Sequence, residues 1–288
     1  SARRFVVYEP KKRNVYALPF RDRVAQHMIN NAIEPVIEKR FYYHSYACRK
    51  GKGTHKAAEF VQECIRNLSF EGQRVFVLKG DIHKYFDSVN HEILKGMLCR
   101  IFKDKELLKL LFYIIDSYGV NTGIPADEDI LEEMYYTGTK EEAYFNGIPV
   151  GNLLSQLFAN LVLNKLDIHL KDDLKEKLYA RQMDDFIIVG SDKEKLEKTL
   201  REIEAFLKNE LKLQLNPKTQ ILDAKNGVDF CGYRIYKDHK KLRKRSVKRI
   251  KAAIKAYRHG KIIKEKLLKI FVSWEGHAEH ADTYMLRQ

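Results

Sequence analysis

The chain has 288 residues, 44% hydrophobic and 32% charged, enough for a sizeable core in one subdivided domain or in two to three small ones. Cys48, Cys64, Cys99 and Cys231 show no Cys-x-x-Cys spacing, no apolar run reaches the roughly 18 residues of a membrane span, and "SARRFVVYEPKKR" has no apolar signal core, which argues against zinc, disulfides and membrane insertion and for a reducing cytoplasm. Net charge is +14, and residues 237–270 hold 15 Lys/Arg against 2 Asp/Glu, so nearly all the imbalance sits in one segment. That concentration points to a polyanionic partner; the plainer alternative is a solvated lysine-rich helix face.

Residues 21–40 predict a helix whose apolar positions are Val24, Met28, Ile29, Ala32, Ile33 and Val36. The glycines of "SYACRKGKGTH" open a loop, and Thr54 is placed to cap the next helix. "RVFVLKGDI" reads as a buried strand ending at Asp81, with Asp87 the expected cap of a helix starting near Val89. Two amphipathic helices follow, then an irregular stretch at 116–147 expected to be a long connection or a small hairpin insert. An apolar helix opens after Gly151-Asn152, and Tyr179–Gly190 predicts a hairpin turning at Met183-Asp184-Asp185. A charged amphipathic helix, short strands in "LQLNPKTQILDA" and "VDFCGYRIY", and two basic helices broken at Gly260 complete the chain. In the first of these, Val247, Ile250, Ile254 and Tyr257 form the seating stripe. Interleaved helices and hairpins favour an α+β fold with a mixed or antiparallel sheet.

Two adjacent aspartates inside an apolar hairpin have a local explanation, because Asp stabilises turns. They have a chemical one if a third carboxylate joins them, since clustered carboxylates repel one another until a cation relieves the repulsion. Asp81 is that third group: a hairpin pairing beside its strand brings Asp184 and Asp185 next to it, and the Ile82 carbonyl adds an oxygen. An all-oxygen donor set without His or Cys suits Mg²⁺, which is held by a few carboxylates together with substrate phosphates. Two such ions are the machinery of nucleotidyl transfer.

The ordered segments "RDRVAQHMINNAIEPVIEKRF", "SYACRKGKGTHKA", "DIHKYFDSVNH", "GIPVGNLLSQLFAN", "QMDDF", "LNPKT" and "FCGYRI" resemble the successive motifs of the reverse transcriptases. The resemblance covers nearly the whole chain. It implies a right-hand polymerase: fingers at 1–75, a palm strand at 76–90, fingers and palm helices with an insert at 91–146, further palm at 147–236, and a short helical thumb at 237–288. It implies Asp81 and Asp184 as bridging ligands of two Mg²⁺ ions (Mn²⁺ as substitute), Asp185 as a supporting ligand and Lys218 as general acid, with a surface lysine in a turn as the alternative for Lys218. Arg49 and Lys52 would face the triphosphate, with a solvent-exposed loop as the alternative. Phe86 would be the steric gate under the sugar, with an ordinary core phenylalanine as the alternative, and Val150, Ser155 and Gln156 would line the nucleotide pocket. Cys231, Gly232 and Tyr233 would form the primer grip, and Lys244, Arg245, Lys248 and Arg249 would hold template and primer.

Val150-Gly151-Asn152-Leu153-Leu154-Ser155-Gln156 stands where most of the family carries Gln-Gly-x-x-x-Ser-Pro. With "SYACRKGKGTH" and "HADTYMLR" it is similar to the reverse transcriptases of diversity-generating retroelements, prokaryotic or phage-encoded. Those copy an RNA with errors at adenines and work with a small basic accessory variability protein. Gln182 departs from the residues the family usually carries there. Four rival readings remain: an RNA-copying RNA polymerase, which Phe86 opposes; a group II intron-like enzyme; a phage-defence polymerase; and a binding module with a dead site, which the intact aspartates oppose.

Overall fold

In the computed structural model, residues 3–7, 13–70, 72–116 and 146–287 are described. The chain order is β1 (Arg3–Val7), β2 (Arg13–Ala17), α1 (Phe20–Glu38), α2 (Thr54–Phe70), β3 (Phe76–Asp81), a single turn α3 (Tyr85–Ser88), α4 (His91–Ile101) and α5 (Lys105–Asp116). Then come α6 (Leu153–Ile168), β4 (Tyr179–Gln182), β5 (Asp185–Gly190), α7 (Lys193–Phe206), β6 (Gln220–Asp223), β7 (Val228–Phe230), β8 (Tyr233–Ile235) and β9 (Lys240–Leu242). The helices α8 (Lys244–Arg258), α9 (Lys264–Ala278) and α10 (Tyr284–Arg287) end the described chain. The predicted insert at 116–147 falls, apart from its ends, outside the described residues.

The central sheet has the order β4-β5-β3-β6, with every pairing antiparallel. Its alternating side chains feed two cores. Leu78, Phe186 and Ile188 face one that includes α4, α5, α6 and α7. Val77, Ile187 and Val189 face the other, which includes α2 and the three-stranded sheet β7-β8-β9. Burial on both faces explains the uninterrupted apolar runs of β3 and β5. At Gly80 the close approach is real: a Cβ there would land inside the ring of Phe186, its cross-strand partner.

Five expectations change. In α1 the buried residues are Gln26, Asn30, Ile33 and Ile37, while Val24, Met28, Ala32 and Val36 are exposed. The helix is rotated because it packs on α6 through Ile33 and Ile37, with Asn30 buried beside them and donating to Glu34. The cap of α4 is Asn90, whose side chain accepts from Ile93 N, and Asp87 lies one turn earlier inside α3. Thr54 is the first residue of α2, whose opening carbonyl acceptor is Gly53. The basic segment is not helical throughout, since Lys240–Leu242 forms edge strand β9. The β1–β2 pairing was not anticipated. On α8, Ile250 is buried and Val247 packs on the second core, whereas Tyr257, the last of the predicted stripe, is exposed.

Candidate active site

Asp81 is the last residue of β3 and stands directly opposite Asp185, the first residue of β5. Directly opposed residues of an antiparallel pair project to the same face, so the register alone brings these carboxylates together. Asp184 is in the turn between β4 and β5, after Met183, whose φ of 58° is left-handed. Asn216 holds Asp81 from the side: its N–H donates to the Asp81 carbonyl at 2.7 Å and its Nδ2 to Asp81 Oδ2 at 2.8 Å. The Asn216 side-chain oxygen accepts from Lys218 N at 3.1 Å, and Lys218 is exposed. Ile82 is buried and bridges to Leu215.

A second hairpin tip approaches from β7 and β8. Cys231 and Gly232 form its two-residue turn, with φ of 49° and 87°, the primed geometry that matches strand twist. Burial pushes the Cys231 thiol up to about 12, and the neighbouring Asp185 carboxylate adds to that shift. Gly232 has no room for a side chain, because a Cβ would stand 2.8 Å from His277 Nε2 of α9. Tyr233 is buried, and its hydroxyl donates to the His277 carbonyl at 2.9 Å.

The loop before α2 docks on the edge of β4. Tyr46 N donates to the Arg181 carbonyl at 2.8 Å, and Arg181 N to the His44 carbonyl at 3.0 Å. Arg49 turns inward from this loop, donating to Glu38 Oε1 at 2.8 Å and to the carbonyls of Tyr42 and Ser45 at 2.6 and 2.7 Å. Lys52 donates to the Tyr43 carbonyl and lies 3.2 Å from the Tyr43 ring centroid. On the other side, Phe86 is half-buried and its carbonyl accepts from Ile148 N at 2.7 Å, which ties α3 to the segment holding Val150. Ser155 is buried in the first turn of α6, next to half-buried Gln156. Lys244, Arg245, Lys248 and Arg249 are all exposed on α8.

Sequence reasoning missed Asn216 and Arg181. Arg181 is fully buried, pairs with fully buried Asp167 at 2.6 Å, and donates to the Met183 carbonyl at 2.9 Å. An arginine inside an apolar strand three residues before the aspartate pair was the available signal.

The family model for reverse transcriptase (RNA-dependent DNA polymerase) matches residues 9–235. The chain belongs to the reverse transcriptase family. It is 27% identical over 277 residues to protein YkfC of Escherichia coli, an alignment covering 83% of this chain and 67% of YkfC. It is 28% identical over 158 residues to the group II intron-encoded protein LtrA of Lactococcus lactis, covering 54% of this chain and 23% of LtrA. Among solved structures, the telomerase of Candida albicans superimposes with a TM-score of 0.56 at 15% identity, over 84% of this chain and 45% of that one. That likeness carries the fold alone and agrees with a right-hand polymerase of mixed helix and antiparallel sheet. This reverse transcriptase chain spans about a quarter of LtrA and under half of the telomerase.

Among the described residues, no three His, Cys, Asp or Glu side chains close into a metal cage. The carboxylates that the register brings opposite each other are those of Asp81 and Asp185, with Asp184 in the adjoining turn. Mg²⁺ uses one or two carboxylates and completes its octahedron with water and substrate phosphate, so this open, oxygen-only set fits it. Opposite Asp185, the buried atom Gln182 Oε1 has no hydrogen-bond partner within the described structure.

Proposed function

We propose that this reverse transcriptase chain copies an RNA template into DNA, with Asp81, Asp184 and Asp185 holding two Mg²⁺ ions. The observation that carries the proposal is the Asp81–Asp185 register beside the Asp184 turn, at the half-buried end of a doubly buried sheet. Bound Mg²⁺ supplies a lowered pKa for the attacking 3′-hydroxyl and charge neutralisation for the departing pyrophosphate. The protein groups orient and select. Asp81 and Asp184 would hold the ions with Asp185 in support, and Asn216 fixes the Asp81 rotamer. Phe86 lies under the sugar and excludes a 2′-hydroxyl. Val150, Ser155 and Gln156 line the nucleotide pocket. Lys52 and Arg49 face the triphosphate, for which Arg49 exchanges one of its carbonyl partners. Lys218 gives a proton to the pyrophosphate oxygen.

In the same reading, Cys231, Gly232 and Tyr233 grip the primer, while Lys244, Arg245, Lys248 and Arg249 neutralise phosphates of the template–primer duplex. Residues 1–75 act as fingers, 76–236 mainly as palm and 237–288 as thumb. The Val150–Gln156 segment supports error-prone copying at template adenines, as in a diversity-generating retroelement, with a small basic accessory variability protein as partner. A group II intron-like role is the second reading, favoured by the similarity to LtrA.

Primer extension on a defined RNA with Mg²⁺ and dNTPs tests the core of the proposal. Wild-type protein is expected to make template-length cDNA and to discriminate against rNTPs, and a folded Asp184→Asn variant to make none. An amide is near-isosteric with the carboxylate but a poor ligand for a hard cation, so normal extension by that variant would overturn the metal assignment. Sequencing the cDNA separates the two finer readings: errors concentrated at adenines, with the accessory protein supplied, support the first, and uniform fidelity supports the second.

A further inference from the structure

The hairpin bearing Asp184 and Asp185 is fastened from behind by one guanidinium. Arg181 Nε donates to Asp167 Oδ1 at 2.7 Å and Nη2 to Asp167 Oδ2 at 2.6 Å, both residues being fully buried. Nη1 donates to Asn160 Oδ1 at 3.1 Å and to the Met183 carbonyl at 2.9 Å, while Nη2 also reaches Ser45 Oγ at 3.1 Å. Tyr179 OH donates to Asp167 Oδ1 at 2.6 Å, so the carboxylate has its own second donor.

Asn160, Asn164 and Asp167 lie at i, i+4 and i+7 on α6, a polar stripe on an otherwise apolar, buried helix. Asn160 also donates to the Ala47 carbonyl, and Asn164 links the Arg40 carbonyl and Tyr42 N. One helix face thus holds the loop before α2 and the catalytic turn together. A buried ion pair adds little net stability over well-packed apolar residues, so stability alone does not account for this one. Its contact with Met183 does: a non-glycine residue in the left-handed region is strained unless its surroundings hold it, and Met183 immediately precedes Asp184. The Tyr85 phenol lies within electrostatic reach of Arg181, Asp184 and Asp167 alike, which places the three charges in one neighbourhood.

We propose that Arg181, clamped by Asp167 and Asn160, is a positioning residue that holds the Met183-Asp184 turn so that the Asp184 carboxylate is set for the metal before nucleotide arrives. The inference rests on Asp184 being a metal ligand. Arg181 itself touches neither metal nor substrate.

The test uses the full chain bound to primer–template, with Mn²⁺ affinity read by electron paramagnetic resonance and without dNTP. Extension is then measured as kcat and as KM for primer–template. The double variant Asp167→Leu/Arg181→Met removes both charges together. Arg181→Lys keeps the charge but cannot form the two-pronged bond and reach Met183 at once, and it serves if the double variant fails to fold. Supporting partners of metal ligands are worth about 10- to 100-fold in metal affinity or activity, so a loss of that size is expected in both Mn²⁺ affinity and kcat, with KM for primer–template unchanged. Wild-type Mn²⁺ affinity and kcat in a folded Arg181→Lys protein would overturn the proposal. Asp184→Asn separates the two levels of inference: if it retains Mn²⁺ binding and activity, the metal assignment fails rather than the positioning role.

Discussion

At single positions, the site is governed by how little space the backbone leaves. Gly80 precedes Asp81 and lies under the Phe186 ring, so Gly80→Ala forces that ring out of the core beside the first carboxylate. Overpacking of this kind destabilises by about 1–3 kcal/mol. A lowered denaturation midpoint measured in urea is expected, and an unchanged midpoint would show that Phe186 yields freely. In the proposed nucleotide pocket an apolar Val150 cannot hydrogen-bond the nucleotide or its neighbours, so right and wrong pairs differ less in transition-state binding. Val150→Gln is expected to lower misincorporation at template adenines by up to about tenfold, the equivalent of ~1.4 kcal/mol, with correct incorporation little changed. Deep sequencing of cDNA from both proteins on one RNA measures this, and equal error rates would remove Val150 from the mechanism. Asp81 and the aspartate pair were legible because charges are conspicuous in apolar strands. Asn216 was not, because its role depends on a partner 135 residues away that no local pattern records, and Arg181 showed as an odd charge in an apolar strand whose partner, 14 residues away, was hidden.

Among the elements, α8 has the most one-sided chemistry: seven basic residues and no acidic one in fifteen positions. Lys244 and Lys248, like Arg245 and Arg249, are like charges at i and i+4, which weaken a helix unless an anion lies alongside. Primer–template affinity is therefore expected to fall linearly with salt on logarithmic axes, each neutralised phosphate adding about −0.9 to the slope. Replacing Lys244, Arg245, Lys248 and Arg249 by Gln should flatten that slope by up to about 3–4. An unchanged slope in filter-binding titrations would move the nucleic-acid surface elsewhere. Element type was readable wherever one period dominated, as in β3, the Asp184 hairpin and α7. It failed for orientation in α1, where apolar residues occupy two faces and the choice is made by what α6 presents. It failed for β9, whose lysines look helical in a basic run but pair at the edge of a sheet.

For the whole molecule, histidines set an acid limit. Burial, with Lys52 adding to it, holds His44 down to about 4, and burial likewise lowers His55, His91 and His277. In the unfolded chain these groups titrate near 6.5. Because their folded values lie below that, the unfolded state binds more protons as pH falls. The stability they contribute is complete above about 6.5 and is lost progressively toward pH 4. The melting temperature is expected to drop between pH 7.5 and pH 5, before most carboxylates titrate, and a flat profile over that interval would contradict the assignment.

The strand order β4-β5-β3-β6 also has a consequence in time. Asp81 belongs to a strand whose neighbours lie far downstream in sequence, at residues 185–190 and 220–223. A ribosome adding about 5–20 residues per second needs roughly 7–30 s to travel from Phe76 to Asp223. Until β5 is made β3 has neither partner strand, and until β6 is made it keeps one unpaired edge, so the nascent chain exposes a hydrophobic edge that a chaperone or a competing strand can occupy. Asp81 can meet Asp184 and Asp185 only once synthesis has passed β5, and it gains its Asn216 partner later still.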